Sequence, residues 1–345
     1  MSLTNAQIAE LAARASAQLE GNKQKALRRI ARRALTWPEE VAVMVEGNQP
    51  LTSLRGIGPW VERTLLEWLQ DPPDVPEPAE IRSGFLSYPE VKAVLSEDLS
   101  WRRDLRGDLQ MHSVYSDGTV PIEEMARGAA ALGHEYVAIT DHSKGLAIAG
   151  GIDESRLAEQ RAEIDALNED FERDNRPVRI LRSLEMNLNP AGEGDMDPDA
   201  LGQLDLVLGS FHSQLRKKED QTERYLAALE NPDIHVLGHP RGRIYNHRVG
   251  LHADWEVVFR RAAEVGKAVE VDCFPDRQDL GVELLELAAG TDVLVSIGTD
   301  SHHPDELAFI DFGAATAKLA GMPRERILNY MKVQELLDWA GSIST

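Results

Sequence analysis

The chain has 345 residues, 42% of them hydrophobic and 28% charged, which fits a folded protein with one large domain and a small one. Met1–Gln7 lacks the basic-then-apolar pattern of a secretory signal, and no apolar run approaches the roughly 20 residues of a membrane span; the single cysteine, Cys273, excludes an intrachain disulfide and fits a reducing cytoplasm. The net charge of −21 is uneven: residues 1–75 hold nine Lys/Arg and nine Asp/Glu, so the rest carries the whole excess and repels polyanions unless bound cations invert the local sign.

Residues 1–70 read as helical, rich in Ala, Leu, Ile, Glu and Arg, with breaks at Gly21, Pro38 and Gly47–Pro50. Within them Leu51–Leu69 resembles a helix-hairpin-helix. Gly56, Ile57 and Gly58 would form the hairpin and Pro59 would open the next helix. Glycines let a backbone approach closely, and N–H groups at a helix start can hold a DNA phosphate; an ordinary helix corner is the alternative. Lys23, Lys25, Arg28, Arg29, Arg32 and Arg33 form a basic stretch nearby, suited to nucleic acid or simply a solvated face. Residues 71–80 are proline-dense and acidic, a stiff linker, and 81–105 read as a mixed helical connector. The expected organisation is a helical domain over 1–75, a linker and connector over 76–105, and a large domain over 106–345.

From Arg106 onward, seven short apolar runs each end in a residue able to bind a metal. They are Arg106–His112, Tyr136–His142, Ile180–Glu185, Leu204–His212, Ile234–His239, Ala268–Asp272 and Val293–His302. Helical periodicity fills the gaps, roughly over 121–133, 153–173, 220–230, 254–265, 280–290 and 305–320. This is strand, ligand, helix, repeated around a (β/α) barrel, whose strand ends converge on one face where chemistry sits.

The candidate ligands are Gln110, His112, Asp117, His142, Glu185, His212, His239, Asp300 and His302. Imidazole and carboxylate together suit Zn²⁺, Mn²⁺ or Fe²⁺. They exceed what one ion takes, so about two or three divalent ions are implied. Glu185 is the expected bridge, since a carboxylate has two oxygens to share. His134, His235, His247, His252 and His303 lack the strand-end placement. Arg241, Arg243 and Arg277, just past strand ends, and Lys144 are candidate phosphate-binding residues; the alternative is surface ion pairing. Asp141, beside His142, is either an orienter of a ligand imidazole or a turn residue.

Gln110–Gly118, Thr140–Ser143, Ser210–Ser213, Gly238–Pro240 and Thr299–His302 together resemble the ordered motifs of the polymerase and histidinol phosphatase (PHP) domain. Arg106–Leu109, Gly238–Arg243 and Pro275–Leu280 are most similar to its form at the C-terminus of bacterial family X DNA polymerases, over about residues 100–340. The resemblance implies a distorted seven-stranded, TIM-like (β/α) barrel of the α/β class behind a small all-α helix-hairpin-helix domain. It implies one ion on Gln110, His112, Glu185 and Asp300, a second on Glu185, His212 and His239, and a third on Asp117, His142 and His302. It further implies catalysis centred on His112, Glu185 and Asp300.

Two positions depart from the family pattern: Gln110 where His is usual, and Asp272 where Asn is common. A Gln offers mainly an amide oxygen, which weakens the first site and favours harder ions such as Mn²⁺. The expected function is metal-dependent phosphoester hydrolysis by a metal-activated water at DNA ends: 3′–5′ exonuclease, 3′-phosphatase or abasic-site processing in DNA repair. The alternatives are a small-molecule phosphatase of the histidinol phosphatase type and a degenerate binding or scaffold module. The partners that this reading implies are DNA or, alternatively, a small phosphate ester, with no membrane role; no stretch between the two parts would hold a polymerase palm, which suggests a separate polymerase as a further partner.

Overall fold

A computed structural model describes residues 2–174 and 178–343. The helical region begins with α1 (Asn5–Ala17) and α2 (Gly21–Arg33), followed by α3 (Val41–Glu46) and α4 (Pro59–Gln70). Thr4 starts α1 through a capping box with Gln7, which satisfies donors that a helix start leaves unpaired. α2 buries Leu27, Ile30 and Ala31 against Ile8, Ala12 and Leu35 and leaves its basic face in water. That spacing of apolar residues is the narrow stripe of a surface helix. At the suspected hairpin, Gly56 has φ +95°, a conformation only glycine adopts cheaply. Pro59 is the first residue of α4.

The connector carries α5 (Tyr88–Ser96) and α6 (Ser100–Arg103). Val91 and Leu95 of α5 belong to the core of the C-terminal barrel, not to that of the helical region. Then strand and helix alternate: β1 (Gly107–Met111), α7 (Ile122–Ala131), β2 (Tyr136–Ile139), α8 (Glu154–Arg173), β3 (Arg179–Asn187), α9 (Pro198–Leu201), β4 (Leu206–Ser210), α10 (Thr222–Glu230), β5 (Val236–Gly238), α11 (Trp255–Glu264), β6 (Ala268–Asp272), α12 (Val282–Ala289), β7 (Leu294–Gly298), α13 (Ile310–Leu319) and α14 (Val333–Ile343). The strands are all parallel in the order β1 to β7. A bridge between Met111 and Ser301 brings the first and last together, so the barrel is nearly closed.

Register layers the interior. Leu208, Val236, Ala268 and Leu294 are neighbours across β4 to β7. With Leu109, Ala138, Leu181 and Leu206 they form an apolar floor, sealed from below by Leu328 and Leu336. Side chains alternate with a period of two, so two residues further along come Ser210, Gly238, Glu270 and Ser296. The strand ends lie above those. A floor of this kind contributes roughly 1.5–3 kcal/mol per buried Leu and fixes the height of everything over it. In β1 the register shifts between Asp108 and Met111; an irregularity of this kind re-aims side chains.

The helical region is fastened to the barrel. Tyr245, from the loop after β5, is buried in the helical core and meets Phe85 edge-on at 5.1 Å. Arg82 donates to both carboxylate oxygens of Glu10 at 2.6 and 2.9 Å and to Asn246 Oδ1 at 3.1 Å. Glu10 is only 3% exposed, and its other partner, Arg14, is half-exposed and 3.7 Å away, so removing Arg82 leaves a buried charge poorly paired. Arg82→Ala is therefore expected to cost about 3 kcal/mol, read as an earlier urea midpoint by tryptophan fluorescence. An unchanged midpoint would mean that the pair does not hold the two parts together.

Candidate metal centre

The sequence pattern places one ligand type after another at strand ends, and the structure gathers them on the C-terminal face. Glu185, at the inner end of β3, is fully buried and central. Its Oε1 lies 2.7 Å from His239 Nε2 and 3.3 Å from His212 Nε2; its Oε2 lies 2.9 Å from His142 Nδ1 and 3.7 Å from His112 Nε2. His112 Nε2 also meets Asp300 Oδ1 at 2.9 Å. Asp117 Oδ1 lies 3.3 Å from His302 Nε2, 3.6 Å from His142 Nε2 and 3.9 Å from His112 Nδ1. The imidazoles of His142 and His302 stack on that of His112 at 4.5 and 4.6 Å.

Three overlapping ligand groups result: His112 with Asp117, His142 and His302; His142 with Glu185 and His212; and His112 with Glu185 and Asp300. His112, His142 and Glu185 are thus each shared between two groups, a closer mesh than three separate sets. His239 and Asp300 both take left-handed backbone conformations, φ 21° and 53°, which cost about 1–3 kcal/mol each and recur at functional sites.

Burial opposes charge on Glu185, yet the neighbouring His142 and His212 hold its carboxyl well below the usual range. Burial likewise opposes ionisation of Asp300, but the His112 hydrogen bond and charge keep it low. Against burial, Asp117 raises His302 to about 9, and Glu185 raises His239 to about 10. Protons thus balance the carboxylates here, and divalent cations suit the same positions. His112 Nδ1 and His239 Nδ1 are buried without a hydrogen-bond partner among the described residues. Orphaned donors of this kind, in a mixed nitrogen and carboxylate set, fit a borderline metal ion.

Gln110 is engaged with a buried acid. Its amide nitrogen faces the Glu270 carboxylate, donating to Oε2 at 3.0 Å and also contacting Oε1. Gly298 makes the approach possible: a Cβ there would lie 2.5 Å from Gln110 Cβ and 2.6 Å from Glu270 Oε1. Glu270 escaped the sequence reading because it lies mid-strand rather than at a strand end; the signal was a charge inside an apolar run. Burial and then Asp272 push its carboxyl well above the ordinary range, although His239 opposes them. Asp272 is also pushed well up, by burial and by Asp300, and accepts from Phe274 N at 2.7 Å. The neutral form that burial favours resembles the asparagine that the motif leads one to expect.

Among the described residues Asp141 forms no hydrogen bond to an imidazole. It accepts from Ser113 N and Oγ, Ser116 Oγ and Gln160 Nε2 at 2.6–2.8 Å, pinning the loop that carries Asp117. Asn187, not foreseen, holds His212 Nδ1 at 3.2 Å. Of the suspected phosphate-binding residues, Arg277 is acted on by Asp300 and Asp272, which raise its pKa against burial. Arg243 is spent elsewhere: it donates to Arg277 O and Gly84 O, both at 2.9 Å, and covers the Phe85 ring. Arg241 donates to Val249 O at 3.1 Å, and Lys144 is paired with Glu154 at 2.6 Å on the exposed surface. Gly58 has open space where a side chain would project, while Arg33 fills the space over Gly56; Ile57 is buried in the helical core.

Residues 108–228 match the PHP domain model. The chain is 36% identical over 233 residues to the DNA polymerase/3′–5′ exonuclease PolX of Bacillus subtilis, covering 67% of this chain but only 40% of that protein's length. It is 31% identical over 232 residues to a probable phosphatase of Acetivibrio thermocellus, covering 64% of this chain and 90% of that protein. A histidinol phosphate phosphatase from Lactococcus lactis, solved with zinc, L-histidinol and phosphate, superposes with a TM-score of 0.46 at 18% identity, over 64% of this chain and 95% of that one.

Two outcomes are expected of this centre. In the metal-stripped protein the folded values of His302 and His239 exceed the ordinary 6.5, so their stabilisation is complete below about pH 6.5 and is lost as pH rises through about 9–10. The thermal midpoint should fall over that window and recover on adding Mn²⁺, which displaces the protons; a flat midpoint would contradict this charge arrangement. Gln110→His should raise bound metal per chain and the phosphoesterase rate, and an unchanged stoichiometry and rate would remove Gln110 from the ligand set.

Proposed function

The chain belongs to the PHP domain family and is a phosphoester hydrolase, and we propose that it acts on DNA ends, removing 3′ nucleotides or 3′ phosphates or processing abasic sites. The observation that carries this reading is the convergence of His112, His142, His212, Asp300 and Glu185 within a few ångströms at the open end of the barrel. The relation to a 3′–5′ exonuclease supports DNA as substrate.

In this reading His112, Asp117, His142, Glu185, His212, His239, Asp300 and His302 hold about two or three divalent ions, with Gln110 a weaker contributor. Such ions lower the pKa of bound water to about 7 and offset charge on a phosphoryl group. The protein's own part is to fix the ligands. Glu185 presents one oxygen to each side of the cluster, Asn187 sets the ring of His212, and Asp141 fastens the Asp117 loop. Arg277 offers a guanidinium fork to a phosphate oxygen pair. Among the described residues no helix is long and apolar enough to cross a membrane. Hydrolysis of a small phosphate ester is the second reading, favoured by the probable phosphatase, 90% of which this chain covers.

The deciding measurement is turnover on 3′-phosphorylated, 3′-hydroxyl and abasic oligonucleotides beside histidinol phosphate, adding metals singly. Oligonucleotide turnover is expected to dominate, and His212→Ala should lower it by more than about 100-fold, as loss of a ligand at a shared cluster does. Activity confined to histidinol phosphate would favour the second reading. Full turnover by His212→Ala would place the chemistry elsewhere.

A further inference from the structure

The fold and the hydrolytic centre leave one strong feature without a use. A cleft of about 950 Å³ runs between α1, α2 and the 244–247 turn of the loop after β5. Arg14, Arg28, Arg32, Arg82 and Arg277 line it, and Asp276 is the one carboxylate among the lining residues. Arg82 is committed to Glu10, and Arg32 reaches Asp276 at 3.4 Å. Arg28 is exposed and has no hydrogen bond or ion pair among the described residues. At the rim, Arg216 Nη2 donates to His247 Nε2 at 2.8 Å. Burial and then Arg216, Arg248 and Arg32 lower the pKa of His247, an independent sign of concentrated positive charge. In a chain of net charge −21, cations crowded in this way repel one another unless an anion is shared between them.

The line of charge leads to the metal centre from two directions. Arg216 stands four residues after His212 in the same loop, and Arg277 is subject to the charges of Asp300 and Glu185. A small phosphate ester held at the barrel mouth would leave Arg28 and Arg32 on α2 unused. Resting on the hydrolase reading above, we propose that this cleft seats the sugar–phosphate backbone of a nucleic-acid strand whose end lies at the metal centre, with Arg28, Arg32 and Arg216 on its phosphates. Guanidinium forks match phosphate oxygens in two-point fashion. The arginines reach phosphates rather than base edges, so binding is independent of sequence. The contact that the hairpin glycines suggested from sequence is assigned instead to α2 and to the loop after β4.

The test uses the full chain with Mn²⁺ and a fluorescein-labelled 15-nucleotide oligo-dT, followed by anisotropy over a salt series. Arg28→Glu/Arg32→Glu/Arg216→Glu, all at exposed positions, should raise Kd by roughly tenfold or more. It should also reduce the slope of log K against log salt by about 2. Metal content and circular dichroism verify that the variant is folded, and its ratio of oligonucleotide to p-nitrophenyl phosphate turnover should fall in parallel. Equal binding by the variant overturns the proposal, as does weakening by Gly58→Val alone, which would return the phosphate contact to the hairpin. Displacement by poly-glutamate as effective as by unlabelled oligo-dT would overturn it in favour of an acidic polypeptide. If the wild type hydrolyses neither substrate, the hydrolase reading fails, while the binding series still decides the cleft.

Discussion

One fully buried carboxylate, Glu185, sits within 3.7 Å of four imidazoles, and the barrel is built around the cost of that arrangement. An isolated charge at such depth is unfavourable by many kcal/mol. It is tolerable only because positive partners converge on it from β1, β2, β4 and β5. Convergence in turn requires short strands of matched register, an apolar floor that sets their height and a near-closed ring. Parallel strands meet these demands better than an open sheet, because all their C-terminal ends face one way.

β6 adds two buried carboxylates, Glu270 in the layer beneath the cluster and Asp272 at the strand end. Glu270 and Asp272 lie beside Glu185 and Asp300, and burial drives both toward the neutral form. That upward shift limits the negative charge that the cluster must balance. Gln110 belongs to this lower layer as much as to the upper one, since its amide is engaged with Glu270. The substitution of an amide for an imidazole at this position therefore alters a buried acid's partner as well as a ligand.

Most of the barrel was legible because each strand is a short apolar run that stops at a ligand, a double signal repeated in order. Six of the helices followed from periodicity; five have ends within two residues of expectation, whereas α13 begins at Ile310 rather than 305, after a 3-10 turn, and α9 and α14 were not expected. What stayed hidden has physical reasons. The register shift in β1 depends on pairing with β2, which no local pattern encodes. Arg243 reads as a phosphate ligand by position, yet its direction is set by a carbonyl 159 residues away. The arginine cleft joins residues from 14 to 277, and the sequence displayed only its α2 portion, as a basic stretch suited to nucleic acid or to a solvated face. Asp141 looked like a neighbour of His142, although alternation sends adjacent side chains opposite ways.

Tyr245 carries a consequence for how this chain can be divided. Its ring belongs to the barrel's loop but fills a place in the core of the four N-terminal helices, where it is 3% exposed. Cutting the chain anywhere in the connector would leave a hole in one fragment and a bare aromatic on the other. A chimera that grafts these helices onto a different enzyme would have to bring a replacement for that ring, or inherit a helical module lacking one of its packing residues.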